Sequence, residues 1–159
     1  MILPAFSHAA LTADAPVPYP DGHTRIILGA VRTIALIGIS AKADRPSYHV
    51  MAFLQGRGFR VIPVNPGLAG QTLLGETVYA DLSAIPDPID MVDIFRNSDA
   101  AAALTDEIIG LNQTLPEGRK IRVVWMQLGV RDDAAACRAE AAGLTVIMDR
   151  CPKIELEHA

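Results

Sequence analysis

The stretch TIALIGISAKADRPSY, residues 33–48, decides the fold. Its first half, Thr33 to Ile39, is an unbroken apolar run of the length of one strand. A strand with no polar alternation is one covered on both faces, which is the habit of parallel sheets. Its second half is a polar loop closed by Pro46, with Ser47 opening a helical pattern in which Val50, Phe53 and Leu54 share a side. An apolar run, a loop and a helix in that order make half of a βαβ unit.

Outward from that unit the pattern repeats. Phe59 to Val64 reads as a second strand, stopped by Pro63, Asn65 and Pro66. A loop over 67–81 has a turn near Leu74-Gly75. Ile89 to Phe95 is a third strand. A helix is expected from Asp99 to about Gly110, capped by Ser98. Ile121 to Gln127 is a fourth strand, Asp132 to Ala142 an alanine-rich helix ended by Gly143, and Leu144 to Met148 a fifth strand. Strands alternating with helices predict an α/β domain: a Rossmann-like, doubly wound parallel sheet of about five strands with helices on both faces. The expected order is 3-2-1-4-5. Upstream, Asp21 caps a short helix to about Ala30. Residues 1–20 carry Pro4, Pro16, Pro18 and Pro20, a density that predicts a flexible, frayed arm. The domain proper is then 21–155, and the polar residues after Lys153 are expected to fray.

Composition narrows the function. The 159 residues carry a net charge of −4, which disfavours a nucleic-acid partner. No apolar run is long enough to span a bilayer, so no membrane partner is expected. No Lys or Arg precedes Arg25, so a signal peptide is not expected either. Cys137 and Cys151 do not form a disulfide framework, and free thiols suit a reducing compartment; the expected location is the cytoplasm. There is no Cys/His cluster with metal spacing, no G-x-S-x-G elbow and no Ser–His–Asp arrangement, so no metal site or catalytic residue is assigned.

Sheets of this kind bind ligands beyond the carboxyl ends of their strands. After strand one, Gly38 lets backbone approach a ligand, Ser40 offers a hydroxyl, and Lys42 and Arg45 flank the opening of a helix. The free N–H groups around Ser47, Tyr48 and His49 suit an anion. This is not a G-x-G-x-x-G fingerprint, since only Gly38 matches. Strand two ends in Asn65 where an NAD site has an acid for the ribose. A neutral Asn there tolerates a phosphorylated ribose. Residues 76–107 hold eight acids against Arg96 alone, so the first loop is locally basic within an acidic chain. Arg96 either meets a phosphate or pairs with Asp93 or Asp99. Arg57 and Arg60 are read as solvating a helix end and a strand edge, and Trp125 and Cys137 as core. Gln127 and Gly129 stand at a strand tip, for a ligand or for a turn. Cys151 is read as a structural thiol, with disulfide exchange as the rival role. His8, His23 and His158 fall in terminal segments and carry no assignment.

The runs VNP at 64–66, DIFR at 93–96, VWMQLGV at 124–130 and AGLTVIMDRCPK at 142–153 resemble, in order and spacing, the small stand-alone CoA-binding proteins. These are similar to the CoA-binding domain of the succinyl-CoA synthetase alpha subunit. The resemblance covers about residues 22–155. It implies coenzyme A or acyl-CoA at the carboxyl edge of the sheet. It implies the phosphate turn at Gly38, Ser40 and Arg45–Tyr48, with Val64, Asn65 and Pro66 beside the adenosine. Phe95, Arg96 and Asn97 would line the cleft, and Gln127, Gly129 and Val130 would lie toward the pantetheine. The arm and the Leu111–Lys120 loop depart from the family pattern. The catalytic histidine domain of the ligases has no room here, so binding without catalysis is the first expectation. The alternatives are a small NAD(P)-dependent oxidoreductase, or a CoA-responsive regulatory subunit of a larger complex. A homodimer or a protein partner stays open.

Overall fold

A computed structural model describes residues 2–158. The first helix, α1, spans His23–Gly29, and its N-cap is Gly22 with no side-chain bond, not the expected Asp21. Strand β1 is Thr33–Ile37, followed by α2, Pro46–Gly56, and β2, Arg60–Val64. A small hairpin, β3 Thr72–Leu73 and β4 Glu76–Thr77, turns at Leu74 and Gly75 as expected; both have positive φ. Then come β5, Met91–Ile94, and α3, Ser98–Asn112. The chain continues through β6, Val123–Met126, α4, Asp133–Ala141, β7, Thr145–Ile147, and α5, Pro152–Glu157. Strands β2, β1, β5, β6 and β7 lie side by side in that order, all parallel. This is the Rossmann-like α/β fold.

Counting only these five strands along the chain, the order is 2-1-3-4-5. The expected 3-2-1-4-5 is corrected in one respect: the third strand pairs with the first, not outside the second. Pro63 supplies the reason. Proline has no N–H to give a neighbouring strand, so it belongs in an edge strand. The Pro63 carbonyl, which points to the same side as its nitrogen, accepts from Tyr79 N–H at 3.0 Å. That outer edge is thus covered by a loop segment, with Val64 bridging Tyr79, instead of by a full strand.

The period of two along each strand divides the core. Ala35, Ile37, Val92, Ile94, Val124 and Met126 pack with Ala101 and Ile108 of α3 and with Ala135, Ala136 and Ala139 of α4. Those alanines let α4 approach the sheet closely. Ile34, Leu36, Met91, Val123 and Trp125 pack with Ile27 and Leu28 of α1 and with Val50, Met51 and Leu54 of α2. Trp125 is fully buried, and its indole N–H donates to the Arg150 carbonyl at 2.9 Å. The crossover helix after β1 and the one after β5 therefore lie on opposite faces. The sheet's switch point falls between the tips of β1 and β5, where a ligand crevice is expected.

Other boundaries move for local reasons. Asn97, not Ser98, caps α3; its Oδ1 accepts from Ala100 N–H at 2.8 Å. The helix runs past Gly110 to Asn112, whose side chain both donates to the Ile121 carbonyl and accepts from its N–H. The tail is not frayed: Pro152 starts α5, Leu156 packs on the core, and Thr24 donates to Glu155 at 2.7 Å.

Residues 2–20 form no helix or strand, but they are not a free arm. Val17 is buried, and Phe6, Leu11 and Tyr19 pack on the core. Met148 N–H donates to Tyr19 Oη at 2.7 Å, and His8 Nε2 lies 2.7 Å from the same oxygen. His8 Nδ1 meets Glu140 on α4. Arg131 donates to the Ala15 and Thr12 carbonyls, and Arg150 to Val17. The segment is a strap fixed by polar bonds to residues far along the chain. Burial raises the Tyr19 phenol well above its usual value. Burial, then the nearby His8, holds the His23 imidazole below its own. Among the described residues, no helix is long and apolar enough to cross a membrane.

Candidate functional site

The loop after β1 is built by its own short bonds. Ser47 Oγ accepts from Ser40 N–H at 3.0 Å, and Ser40 Oγ accepts from Lys42 N–H at 3.2 Å. Each hydroxyl keeps its proton free to donate. Arg45 caps α2 in extended backbone, and Pro46 takes the first helical position. Proline has no N–H there, and the N–H groups of Ser47 and Tyr48 have no partner within the helix. Lys42 and Arg45 are exposed, and among the described residues neither forms an ion pair.

Gly38 is needed for a reason other than ligand approach. Its φ is +92°, and a Cβ on it would lie 2.3 Å from the Phe95 carbonyl oxygen. It lets the tips of β1 and β5 touch at the switch point.

Three recesses run along this edge. The middle one, about 380 Å³, is lined by Gly38, Ser40, Lys42, Arg45, Pro46, Ser47 and Phe95. On the β2 side a second, about 450 Å³, shares Gly38, Ser40 and Lys42 and adds Asn65, Gly67 and Leu68. On the β6 side a third, about 620 Å³, shares Pro46 and Phe95. Its wall is largely apolar and includes His49, Val50, Gln127, Cys151 and Ile154.

Eight expected site residues thus line these recesses: Gly38, Ser40, Lys42, Arg45, Ser47, Asn65, Phe95 and Gln127. The rest stand apart from these recesses. Val64 is buried, and Tyr48, Pro66, Arg96 and Asn97 line none of the three. Gly129 lines a separate recess against the strap, with Arg131 and Asp149. Asn65 turns inward: Nδ2 donates to the Ile39 carbonyl and Oδ1 accepts from Gly67 N–H, both at 2.8 Å. Asn65 therefore shapes the loop, and Asn97 is spent on its helix cap. Arg96 makes neither expected pair. Asp93 is fully buried between Leu36 and Trp125, with no partner for either oxygen, and burial raises its carboxyl well above the usual range. Arg57 bonds the Leu156 carbonyl, and Arg60 pairs with Glu76 and Asp87, as their surface reading expected.

Sequence reasoning missed the apolar recess. Its wall joins α2, the tip of β6 and α5, segments spread over about a hundred residues of the chain. The available signal was the apolar pair Ile154 and Leu156 in the charged tail: Leu156 packs on the core and Ile154 faces the recess.

A parallel sheet with a basic loop and a helix opening at its switch point defines a nucleotide-binding type of domain. The family model of the CoA binding domain matches residues 32–157, and the chain belongs to that family. The chain is 33% identical over 128 residues to the uncharacterized protein YneT of Bacillus subtilis, covering 80% of this chain and 87% of that one. Cell-free ID.343 from Thermus thermophilus superposes with a TM-score of 0.77 at 31% identity, covering 88% of this chain and 98% of that chain. A hypothetical protein of Pyrococcus horikoshii OT3 gives 0.77 at 30% identity, covering 93% and 98%.

Proposed function

We propose that the protein binds coenzyme A or an acyl-CoA across the carboxyl edge of its sheet and catalyses no reaction of its own. The observation that carries this reading is the sequence of the three recesses. CoA is a nucleotide, a pyrophosphate and a long amphipathic arm joined in a line. The recesses also form a line: a mixed pocket by Asn65 and Leu68, a basic pocket by Ser40 and Arg45, and an apolar pocket by Gln127. In this reading the pyrophosphate meets the free N–H group of Ser47, the two serine hydroxyls, and the charges of Lys42 and Arg45. The adenosine lies toward Asn65 and the pantetheine passes over Phe95. Asn65 offers no carboxylate to an NAD ribose diol, which argues against the oxidoreductase.

The test is thermal unfolding with CoA, dephospho-CoA, NAD and NADP. A ligand at 100 times its dissociation constant stabilises by about 2.7 kcal/mol. CoA should raise the midpoint and NAD should not; the reverse result sinks the proposal. Lys42→Ala with Arg45→Ala should weaken CoA about tenfold or more, since each removes a charge-assisted contact. The midpoint without ligand should stay where it was, because both side chains are exposed and, among the described residues, form no ion pair.

A further inference from the structure

We propose that Cys151 is a site of thiol–disulfide exchange with the thiol end of CoA, so that the protein captures oxidised CoA as a mixed disulfide. The inference rests on the CoA reading above and adds a covalent function to the same groove. Once the pyrophosphate is assigned to the basic recess, the connectivity of CoA leaves one place for its sulfur: the apolar recess beyond Phe95. Cys151 stands in the wall of that recess.

A second observation marks this recess as a ligand site. Gln127 lines it, is 7% exposed, and its buried Oε1 has no hydrogen-bond partner. A buried amide oxygen without a donor is costly. The pantetheine arm carries two amide N–H groups, and a turn of the Gln127 amide toward the recess it lines would let one of them satisfy that oxygen, which is sealed from solvent in the free protein. The neighbouring Arg150 takes no part. Its guanidinium donates to the Val17 carbonyl and lies over the Tyr19 ring, on the strap side. Lys153 lines the recess, but its ammonium is paired with Glu157 at 3.2 Å and lies over the Phe53 ring.

The step balances without another reagent. The Cys151 thiol loses its proton, and its sulfur attacks one sulfur of a CoA disulfide. A Cys151–CoA disulfide forms as the CoA–CoA bond breaks. The departing CoA thiolate takes up a proton, and no net electrons are consumed. A second thiol, attacking the CoA sulfur, reverses the capture.

The full chain is treated with CoA disulfide, and separately with glutathione disulfide, and followed by intact mass and peptide mapping. One CoA adduct should form on Cys151, reverse with dithiothreitol, and appear about tenfold or more faster than the glutathione adduct, because binding holds the reacting sulfurs together. Cys137→Ser should form it fully and keep the CoA thermal shift; Cys151→Ser should form none. Excess acetyl-CoA should slow the wild-type reaction about tenfold by occupying the groove with its sulfur acylated, which tests the site even if the serine variant does not fold. Three results overturn the proposal: no adduct in a protein whose midpoint CoA raises, an adduct on Cys137 instead, or equal rates with the two disulfides. A wild-type protein that gives no CoA shift refutes the CoA reading itself, and this inference with it.

Discussion

Gly38→Ala should be among the most damaging single-methyl additions in the chain. Two separate costs apply. The first is backbone: φ is +92°, and an L-residue in left-handed backbone is strained by roughly 1–2 kcal/mol. The second is contact. The new Cβ would lie 2.3 Å from the Phe95 oxygen, 3.0 Å from its carbonyl carbon and 3.2 Å from Arg96 Cδ. The Arg96 end can move. The Phe95 carbonyl belongs to the backbone at the tip of β5, and forcing such a shift costs about 1–3 kcal/mol. Together the loss is roughly 2–5 kcal/mol, or a midpoint lower by roughly 4–20 °C for a domain of this length. Urea unfolding at constant slope, with calorimetry beside it, measures the change. Gly110→Ala is the matched control. It lies within α3 and a Cβ there meets nothing within 4 Å, so it should be neutral or gain about 0.5–1 kcal/mol. A Gly38→Ala protein as stable as wild type would refute the reasoning, because it would mean that the β1 and β5 tips do not meet as described.

Two further perturbations test the interior. The raised Asp93 carboxyl means that the folded state holds a proton that the unfolded chain releases near pH 3.8. Its contribution to stability is therefore fully present below that pH and is lost, at up to about 1.4 kcal/mol per unit, as pH rises toward the folded value. Asp93→Asn should lack this slope in denaturation series across pH, and parallel curves would count against a buried, unpaired acid. Tyr19→Phe removes the acceptor of Met148 N–H and the partner of His8, so it should cost about 1–3 kcal/mol. A loss below about 0.5 kcal/mol in the same urea assay would show that the strap is not held through this hydroxyl.

What the sequence made legible was what lies close together along it. The five apolar runs are each one strand. The loop from Gly38 to Ser47 is one continuous segment, so its serines and cations could be placed at a single strand end. What stayed hidden depends on distant partners. His8 looked idle because its partner Glu140 lies 132 residues away. The prolines suggested a frayed arm because nothing local shows that Arg131 and Arg150 bind its carbonyls. Asn65 and Asn97 stood at strand tips, but residue type does not say whether an amide faces a ligand or its own backbone. Here both face backbone. The strand order was within reach, since Pro63 alone argued that β2 is an edge.

That correction of order bears on the site. In a 3-2-1-4-5 sheet the tip of β1 would adjoin the tip of β6, and a ligand would pass from the Ser40 loop straight to Gln127. In the observed sheet β5 lies between them, and Phe95 at its tip forms a wall shared by the basic and apolar recesses. A linear ligand must cross Phe95 to use both, which suits a molecule with a charged half and a long apolar-tolerant arm better than two nucleotides of similar polarity. The charges are divided in the same sense. Of the acids between residues 76 and 107, Glu76 and Asp87 pair with Arg60, Asp90 with Arg122, and Asp106 with Arg138. Asp93 is sequestered in the core. Among the described residues Lys42 and Arg45 remain unpaired beside the helix opening. A net charge of −4 therefore coexists with a cationic mouth at the switch point, where an anionic ligand would meet the local field before it met the sum.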